Sequence, residues 1–84
     1  MNTSLMLLAQ YGQLIIPVDT VAADFFRITR EKFLRKCLYG EIALPIVRME
    51  RSQKCARGVH VNDLADFIEA RRAAAKRELE PFLR

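Results

Sequence analysis

Two short helices separated by only three residues are predicted in the first half of the chain. The apolar residues of segments 17–26 and 30–39 follow helical spacing, and residues 27–29 lie between the two segments. Pro17 suits the first turn of a helix, because its missing N–H needs no partner there. Thr29 is a favourable N-cap for the second helix, and Gly40 is a favourable stop. Two short helices joined by a tight turn are typical of a helix-turn-helix.

The second of these helices is predicted to have one apolar face and one basic face. The apolar face combines four residues: Phe33, Leu34, Cys37 and Leu38. The outer face combines four others: Lys32, Arg35, Lys36 and Tyr39. Arg35 lies in the middle of that face, so we expect it to read guanine through a bidentate hydrogen bond. Lys32 and Lys36 are expected to contact phosphates, and Tyr39 either packs under the following hairpin or contacts DNA.

A positively charged loop follows between two short predicted strands. Residues 46–50 alternate as a strand does, residues 51–58 form the loop, and residues 59–61 return antiparallel. Gly58 allows the turn. The loop offers five side chains suited to phosphate or minor-groove contact: Arg51, Ser52, Gln53, Lys54 and Arg57. A basic hairpin after a helix-turn-helix predicts a wing, and Arg30 and Arg48 add two further cations beside it.

Two helices are predicted to flank this unit. Thr3 or Ser4 caps a first helix at 5–11, which is apolar nearly all round and is therefore expected to be buried or at an interface. Residues 14–16 form a short extended piece. Asn62 is expected to cap a long last helix at 63–80, which Pro81 ends.

These elements define a mainly helical α+β fold. We expect a winged helix-turn-helix with an extra N-terminal helix, a two-stranded antiparallel wing and a long C-terminal helix. The 84 residues leave room for one domain, 1–84. The apolar first helix and the end of the chain (Leu79, Phe82 and Leu83) are the expected contact of a homodimer or higher assembly.

The positive charge of the chain is concentrated in its middle third. Residues 25–57 hold nine basic and three acidic side chains, a net charge of +6, whereas residues 1–24 carry −2 and residues 58–84 carry none. A basic block of this kind suggests an anionic partner, most often nucleic acid, but charge alone leaves a solvated face without a partner equally open. Together with the predicted helix-turn-helix and wing, the charge makes double-stranded DNA the expected partner.

Other classes of protein are disfavoured. The longest apolar run, residues 5–9, is far shorter than the ~18–20 residues of a membrane span, and no basic residue precedes it as in a secretory signal. Cys37 and Cys55 read as free thiols of a reducing cytoplasm. His60 is the one histidine, so neither a zinc site nor a catalytic triad is expected. We therefore expect a cytoplasmic protein without cofactor or metal that is not an enzyme.

Several segments resemble the pyocin activator protein family. They are LMLLAQYG (5–12), IIPVDTVAADFF (15–26), KFLRKCLYGEIALPIVRME (32–50), SQKCARGV (52–59) and DLADFIEARR (63–72), in the family's order. The resemblance implies a small, often prophage-linked bacterial regulator that activates genes of phage-tail-like bacteriocins. It implies a fold similar to the excisionase and MerR-type winged helix. It also implies DNA contact by the matched positions, whereas the role of Arg51 depends on charge alone. These positions are Lys32, Arg35 and Lys36 in the helix and Ser52, Gln53, Lys54 and Arg57 in the loop.

Two other functions remain open. An excisionase-like architectural factor would share the fold and most DNA contacts, and it would bend DNA for recombination. A protein-interaction adaptor would use the basic face for an acidic partner. An activator also implies contact with RNA polymerase, for which the acidic residues near Asp19 and Asp24, or the last helix, are candidate surfaces.

Overall fold

The computed structural model describes residues 2–51 and 56–83. Three predicted DNA contacts lie outside this part of the chain, namely Ser52, Gln53 and Lys54, and so does the cysteine Cys55. The elements are α1 (Thr3–Tyr11), β1 (Ile15–Pro17), α2 (Val18–Val21), α3 (Arg30–Leu38), β2 (Val47–Arg48), β3 (Arg57–His60) and α4 (Val61–Leu79). A π-helical turn, Ala22–Phe26, extends α2, and a 3₁₀ turn, Glu80–Phe82, follows α4. The mainly helical α+β class is therefore confirmed.

The first helix begins earlier than predicted. Its N-cap is Asn2, whose side-chain oxygen accepts from the backbone N–H groups of Ser4 and Leu5. The prediction of Thr3 or Ser4 as the cap was therefore wrong, because Asn2 offers an equally good acceptor one residue upstream. Gly12 ends the helix as expected, in the left-handed conformation. Only Leu7 of this helix is buried, so much of its apolar surface stays exposed.

The sheet has three strands rather than the two of the predicted wing. Its order is β1-β3-β2, and both strand pairs are antiparallel. The extended piece before α2 becomes β1, which pairs with β3 through Ile16 and Val59. Local pattern did not reveal this pairing, since β1 and β3 lie far apart in the sequence. Pro17 is the last residue of β1 and lies just before α2, not within its first turn.

Gly58 lies inside β3 rather than in a turn. A Cβ atom there would lie 2.5 Å from Ile15 Cγ2 and 2.7 Å from the backbone oxygen of Ile16. Both distances are shorter than van der Waals contact allows. The glycine is therefore required because β1 approaches β3 closely, and the prediction that it serves the loop turn was wrong.

The turn between α2 and α3 is as short as predicted. Arg27 adopts the left-handed conformation at φ 55°, which reverses the chain after the π-helical turn. Thr29 then caps α3, and its Oγ1 accepts from the N–H of Lys32 at 3.2 Å. Phe26 holds the pair of helices against the core, because its ring lies 5.3 Å from that of Phe33 and 5.6 Å from that of Phe67 on α4.

The contact between α1 and the π-helical turn uses two aromatic residues. The Tyr11 hydroxyl donates to Asp24 Oδ2 at 2.8 Å, and the Tyr11 ring lies 6.2 Å from that of Phe25. Partial burial, and then the bonded carboxylate, raise the pKa of Tyr11 above its ordinary value. This contact fixes the first helix against the π-helical turn that extends α2.

The last helix begins at Val61, and its N-cap is His60 rather than Asn62. The N–H of Asn62 donates to His60 Nδ1 at 3.0 Å, so the histidine accepts the bond that the sequence-based prediction gave to the asparagine. The helix ends at Leu79, two residues before Pro81, as a proline requires. No helix in the described part of the chain is long and apolar enough to cross a bilayer.

One apolar core joins all the helices to the sheet. Its largest fully buried side chains are Phe33, Ile16, Leu64, Val21 and Val59. They come from α3, β1, α4, α2 and β3 in turn, so each of these elements is fixed against the others. The core thereby sets the position of α3 relative to the strand pair β2–β3.

Candidate nucleic-acid interface

A groove of about 690 Å³ lies between the C-terminal end of α3 and the β2–β3 pair. Three arginines line it, one from each element: Arg35, Arg48 and Arg57. None of the described residues that line it is acidic. We call this surface, with its apolar neighbours Leu38, Tyr39 and Ile46, the arginine groove. Three guanidinium groups around one concave surface create a local positive potential that favours anions.

Two of these arginines lie directly opposite each other in the sheet. The register of β2 and β3 pairs Arg48 with Arg57. Cβ atoms of such a pair are about 4.5–5.5 Å apart, so their side chains share one face of the sheet. Arg48 is exposed, whereas Arg57 is half-buried with its Nε atom inside the protein. Arg57 therefore lies deeper in the protein than Arg48 does.

The mouth of the groove carries two exposed side chains, Leu38 and Tyr39. Leu38 is 80% exposed, although it was predicted to lie on the buried face of α3. At 100° per residue it is about 140° from Phe33 around the helix, which is too far to reach the core. Tyr39 is 73% exposed, so it does not pack under the hairpin. Its ring and hydroxyl are open to a ligand beside the arginines.

Arg30 contacts an acidic residue of the same chain. Its Nε lies 3.2 Å from Asp19 Oδ1, and this pair joins the N-terminus of α3 to α2. The pair is exposed, so we expect it to add no more than about 1 kcal/mol to stability. A smaller groove of about 230 Å³ places Arg30 beside Glu31 and Arg57. Two carboxylates therefore reduce the positive charge at this end of the surface.

The remaining predicted contact residues lie around the groove rather than in it. Lys32 is exposed on the outer face of α3, and Lys36 is half-buried on the same helix. Arg51 is exposed after β2, at the start of the predicted wing loop. The structure therefore brings Arg35, Arg48 and Arg57 together, and it leaves the two lysines and Arg51 as separate surface charges.

Cys37 also lines the arginine groove. It is a free thiol, and its partial burial raises its pKa above the ordinary value of a cysteine. A smaller fraction is then thiolate at a given pH, so its reactivity is low. The described part of the chain holds no group of three His, Cys, Asp or Glu side chains that would bind a metal ion.

Fold and surface together define a small α+β domain with a short helix pair, an antiparallel strand pair and a basic groove between them. The chain belongs to the family described as Pyocin activator protein PrtN, whose model matches residues 3–75. The matched region includes all three groove arginines. A comparison with curated proteins found no match. A comparison with solved structures also found none.

Proposed function

We propose that this protein is a sequence-specific DNA-binding activator of pyocin genes, the genes of phage-tail-like bacteriocins. The observation that carries this proposal is the arginine groove, where three cations come from three elements and none of the lining residues that the structure describes is acidic. The family membership supports the class of gene that is regulated. A duplex offers closely spaced phosphates, which suit a groove of this charge.

The order of elements suggests how the duplex is bound. In a winged helix-turn-helix, α3 enters the major groove, which is about 12 Å wide and admits a helix. The β2–β3 pair and its loop then lie beside the sugar-phosphate backbone as the wing. Arg48 and Arg57 contact phosphates in this arrangement, and the exposed Lys32 and Arg51 extend the contact on either side.

Arg35 is placed where it can serve either of two roles. Its position beside Arg48 and Arg57 favours a phosphate contact, whereas its position on the outer face of α3 favours a guanine. Substitution by lysine separates the two, because lysine keeps the charge but loses the bidentate geometry. If Arg35 reads a base, Arg35→Lys loses discrimination between target and unrelated DNA. If it contacts phosphate, discrimination is kept.

Activation further implies contact with RNA polymerase. Asp19 and Asp24 were candidate contacts, and both are engaged within the chain, by Arg30 and by Tyr11 respectively. Both aspartates nevertheless stay exposed, so they remain candidate contacts, as does the last helix.

The test is a binding titration combined with a transcription assay. The protein is titrated onto a labelled pyocin promoter fragment and onto an unrelated duplex of equal length, and transcription from that promoter is measured in a purified system without recombinase. Selective binding with increased transcription is the expected result. Selective binding without transcription would favour the architectural role, and no binding at low salt would favour an adaptor.

A further inference from the structure

Leu38 is an apolar side chain on an otherwise charged exposed surface of α3, a helix that the structure describes in full. It is 80% exposed, and every other exposed residue of α3 is charged. A single exposed leucine is common on protein surfaces and by itself has no meaning. This leucine, however, lines the arginine groove beside Arg35 of the same helix. It therefore lies within the surface that is proposed to bind DNA.

The C-terminal end of α3 is a position where a cation would be favoured twice. The helix dipole places negative partial charge there, and Arg35 and Lys36 already lie in the last turn, as that dipole favours. A lysine or arginine at position 38 would gain the same interaction and would also attract a phosphate. A leucine gains neither, but it is stabilised when an apolar group removes it from water. Its presence suggests that position 38 contacts an apolar group of the bound molecule.

Leu38 and Arg35 lie together on the side of α3 that faces away from the core. At 100° per residue, they are about 140° and 160° around the helix from the buried Phe33, and about 60° from each other. They are about 4.5 Å apart along the helix axis, not much more than the ~3.4 Å between successive base pairs. When α3 lies in the major groove, this side of the helix faces the base edges. Lys32, about 100° from Phe33, faces the sugars and phosphates of the groove wall.

Base edges in the major groove present one kind of apolar group, the 5-methyl group of thymine. The other groups that distinguish the base pairs there are hydrogen-bond donors and acceptors. The side chain of Leu38 can neither donate nor accept a hydrogen bond, so contact with those groups would bury polar atoms without a partner. Contact with a methyl group instead removes apolar surface of both molecules from water. Among the groups on the floor of the groove, the thymine methyl is therefore the one that suits Leu38.

We propose that Leu38 is a specificity-determining residue that recognises the 5-methyl group of a thymine in the target DNA. This inference rests on the proposed function, because it requires α3 to lie in the major groove. It holds for either role of Arg35, whose long side chain reaches a base or a phosphate from the same position. Burying one methyl group against the leucine increases the affinity about three- to fivefold.

The test compares the pyocin promoter fragment with the same duplex in which deoxyuridine replaces every thymidine. Uracil pairs with adenine as thymine does and lacks only the methyl group. The ratio of the two affinities, the methyl preference, is expected to be at least about threefold for the wild type. For Leu38→Ala it should fall to near unity, because alanine lacks the outer carbon atoms that reach the methyl group. The slope of log K against log salt should stay unchanged in this variant, since no charge is removed.

Leu79→Ala is the matched control, because Leu79 is also an exposed leucine but lies at the far end of α4. Its methyl preference should equal that of the wild type. Far-ultraviolet circular dichroism checks that each variant is folded. We expect Leu38→Ala to pass this check, since the side chain that it shortens is outside the core and alanine favours a helix.

The outcomes separate this inference from the proposed function. A wild type that binds the promoter no better than an unrelated duplex of equal length would overturn both. Selective binding by the wild type, with the same methyl preference in Leu38→Ala, would overturn this inference alone. Weaker binding of that variant to both duplexes would then place Leu38 against deoxyribose, and unchanged binding would place it outside the DNA contact. An equal loss of methyl preference in Leu79→Ala would also contradict the role of Leu38.

Discussion

Arg48 and Arg57 are cross-strand neighbours in the β2–β3 pair, so two positive side chains share one face of a very short ribbon. Like charges directly opposite each other destabilise a sheet. Both arginines also line the groove that holds Arg35. We expect an anion between the two guanidinium groups to stabilise this arrangement.

The first prediction concerns the effect of this arginine pair on the free energy of unfolding and on DNA binding. Arg48→Gln is expected to leave the free energy of unfolding unchanged or to raise it by up to about 0.5 kcal/mol at low salt, while DNA binding weakens. Chemical denaturation and a binding titration check the two effects. Arg77→Gln removes one positive charge from the exposed last turns of α4. It should change neither the free energy of unfolding nor DNA binding by a comparable amount. A variant destabilised by more than 1 kcal/mol would contradict this account of the pair.

The second prediction concerns the close approach of β1 to β3. Gly58→Ala is expected to cost about 1–3 kcal/mol, because its Cβ would overlap both Ile15 Cγ2 and the backbone of Ile16. Gly40 is a contrasting control, since its φ is 78° but no atom lies within 4 Å of its Cβ position. Gly40→Asn should cost little, because asparagine tolerates that conformation. Thermal unfolding distinguishes the two positions, and equal losses would refute the steric explanation.

The third prediction concerns the cap of α4. His60→Ala is expected to lower the free energy of unfolding by about 1 kcal/mol, because the N–H of Asn62 loses its acceptor. His60→Asn should lose less, since asparagine is itself a favoured cap. Asn62→Ala is the comparison that separates the observed cap from the one the sequence suggested. If it were the more damaging change, the assignment of His60 would be wrong.

The fourth prediction concerns Cys37. In a Cys55→Ser background, we expect the Cys37 thiol to react with iodoacetamide more slowly in the folded protein than in urea. Burial raises its pKa, and a raised pKa leaves less thiolate at any pH below that value. Because Cys37 lines the arginine groove, bound DNA should slow the reaction further. Unchanged kinetics with saturating DNA would place the duplex elsewhere.

The elements of this fold were largely predictable because they depend on local signals. Thr29 and Gly12 behave as the capping rules suggest, and the spacing of Phe33 and its neighbours marks a real helix. Errors of one or two residues arose where neighbouring residues compete for one role, as Asn2 does with Thr3. The role of His60 was missed because histidine is an uncommon cap.

The site was only partly predictable, because it depends on contacts between distant segments. Charge density pointed to Arg35 and Arg57, but only the register of β2 and β3 shows that Arg48 lies opposite Arg57. The third strand and the steric role of Gly58 have the same long-range origin. The ion pair between Arg30 and Asp19 was also not predicted, because no local sequence signal marks a contact across the helix turn.

The most direct test of the account is the salt dependence of DNA binding by the double variant Arg35→Gln/Arg48→Gln. Each phosphate contact contributes about 0.9 to the slope of log K against log salt. We predict that the slope falls by about 0.9 relative to the wild type if Arg35 contacts a base, and by about 1.8 if it contacts phosphate. The control Arg72→Gln/Arg77→Gln on α4 is expected to keep the wild-type slope. An unchanged slope in the groove variant, or an equal loss in the control, would contradict the assignment of the arginine groove as the DNA-binding surface.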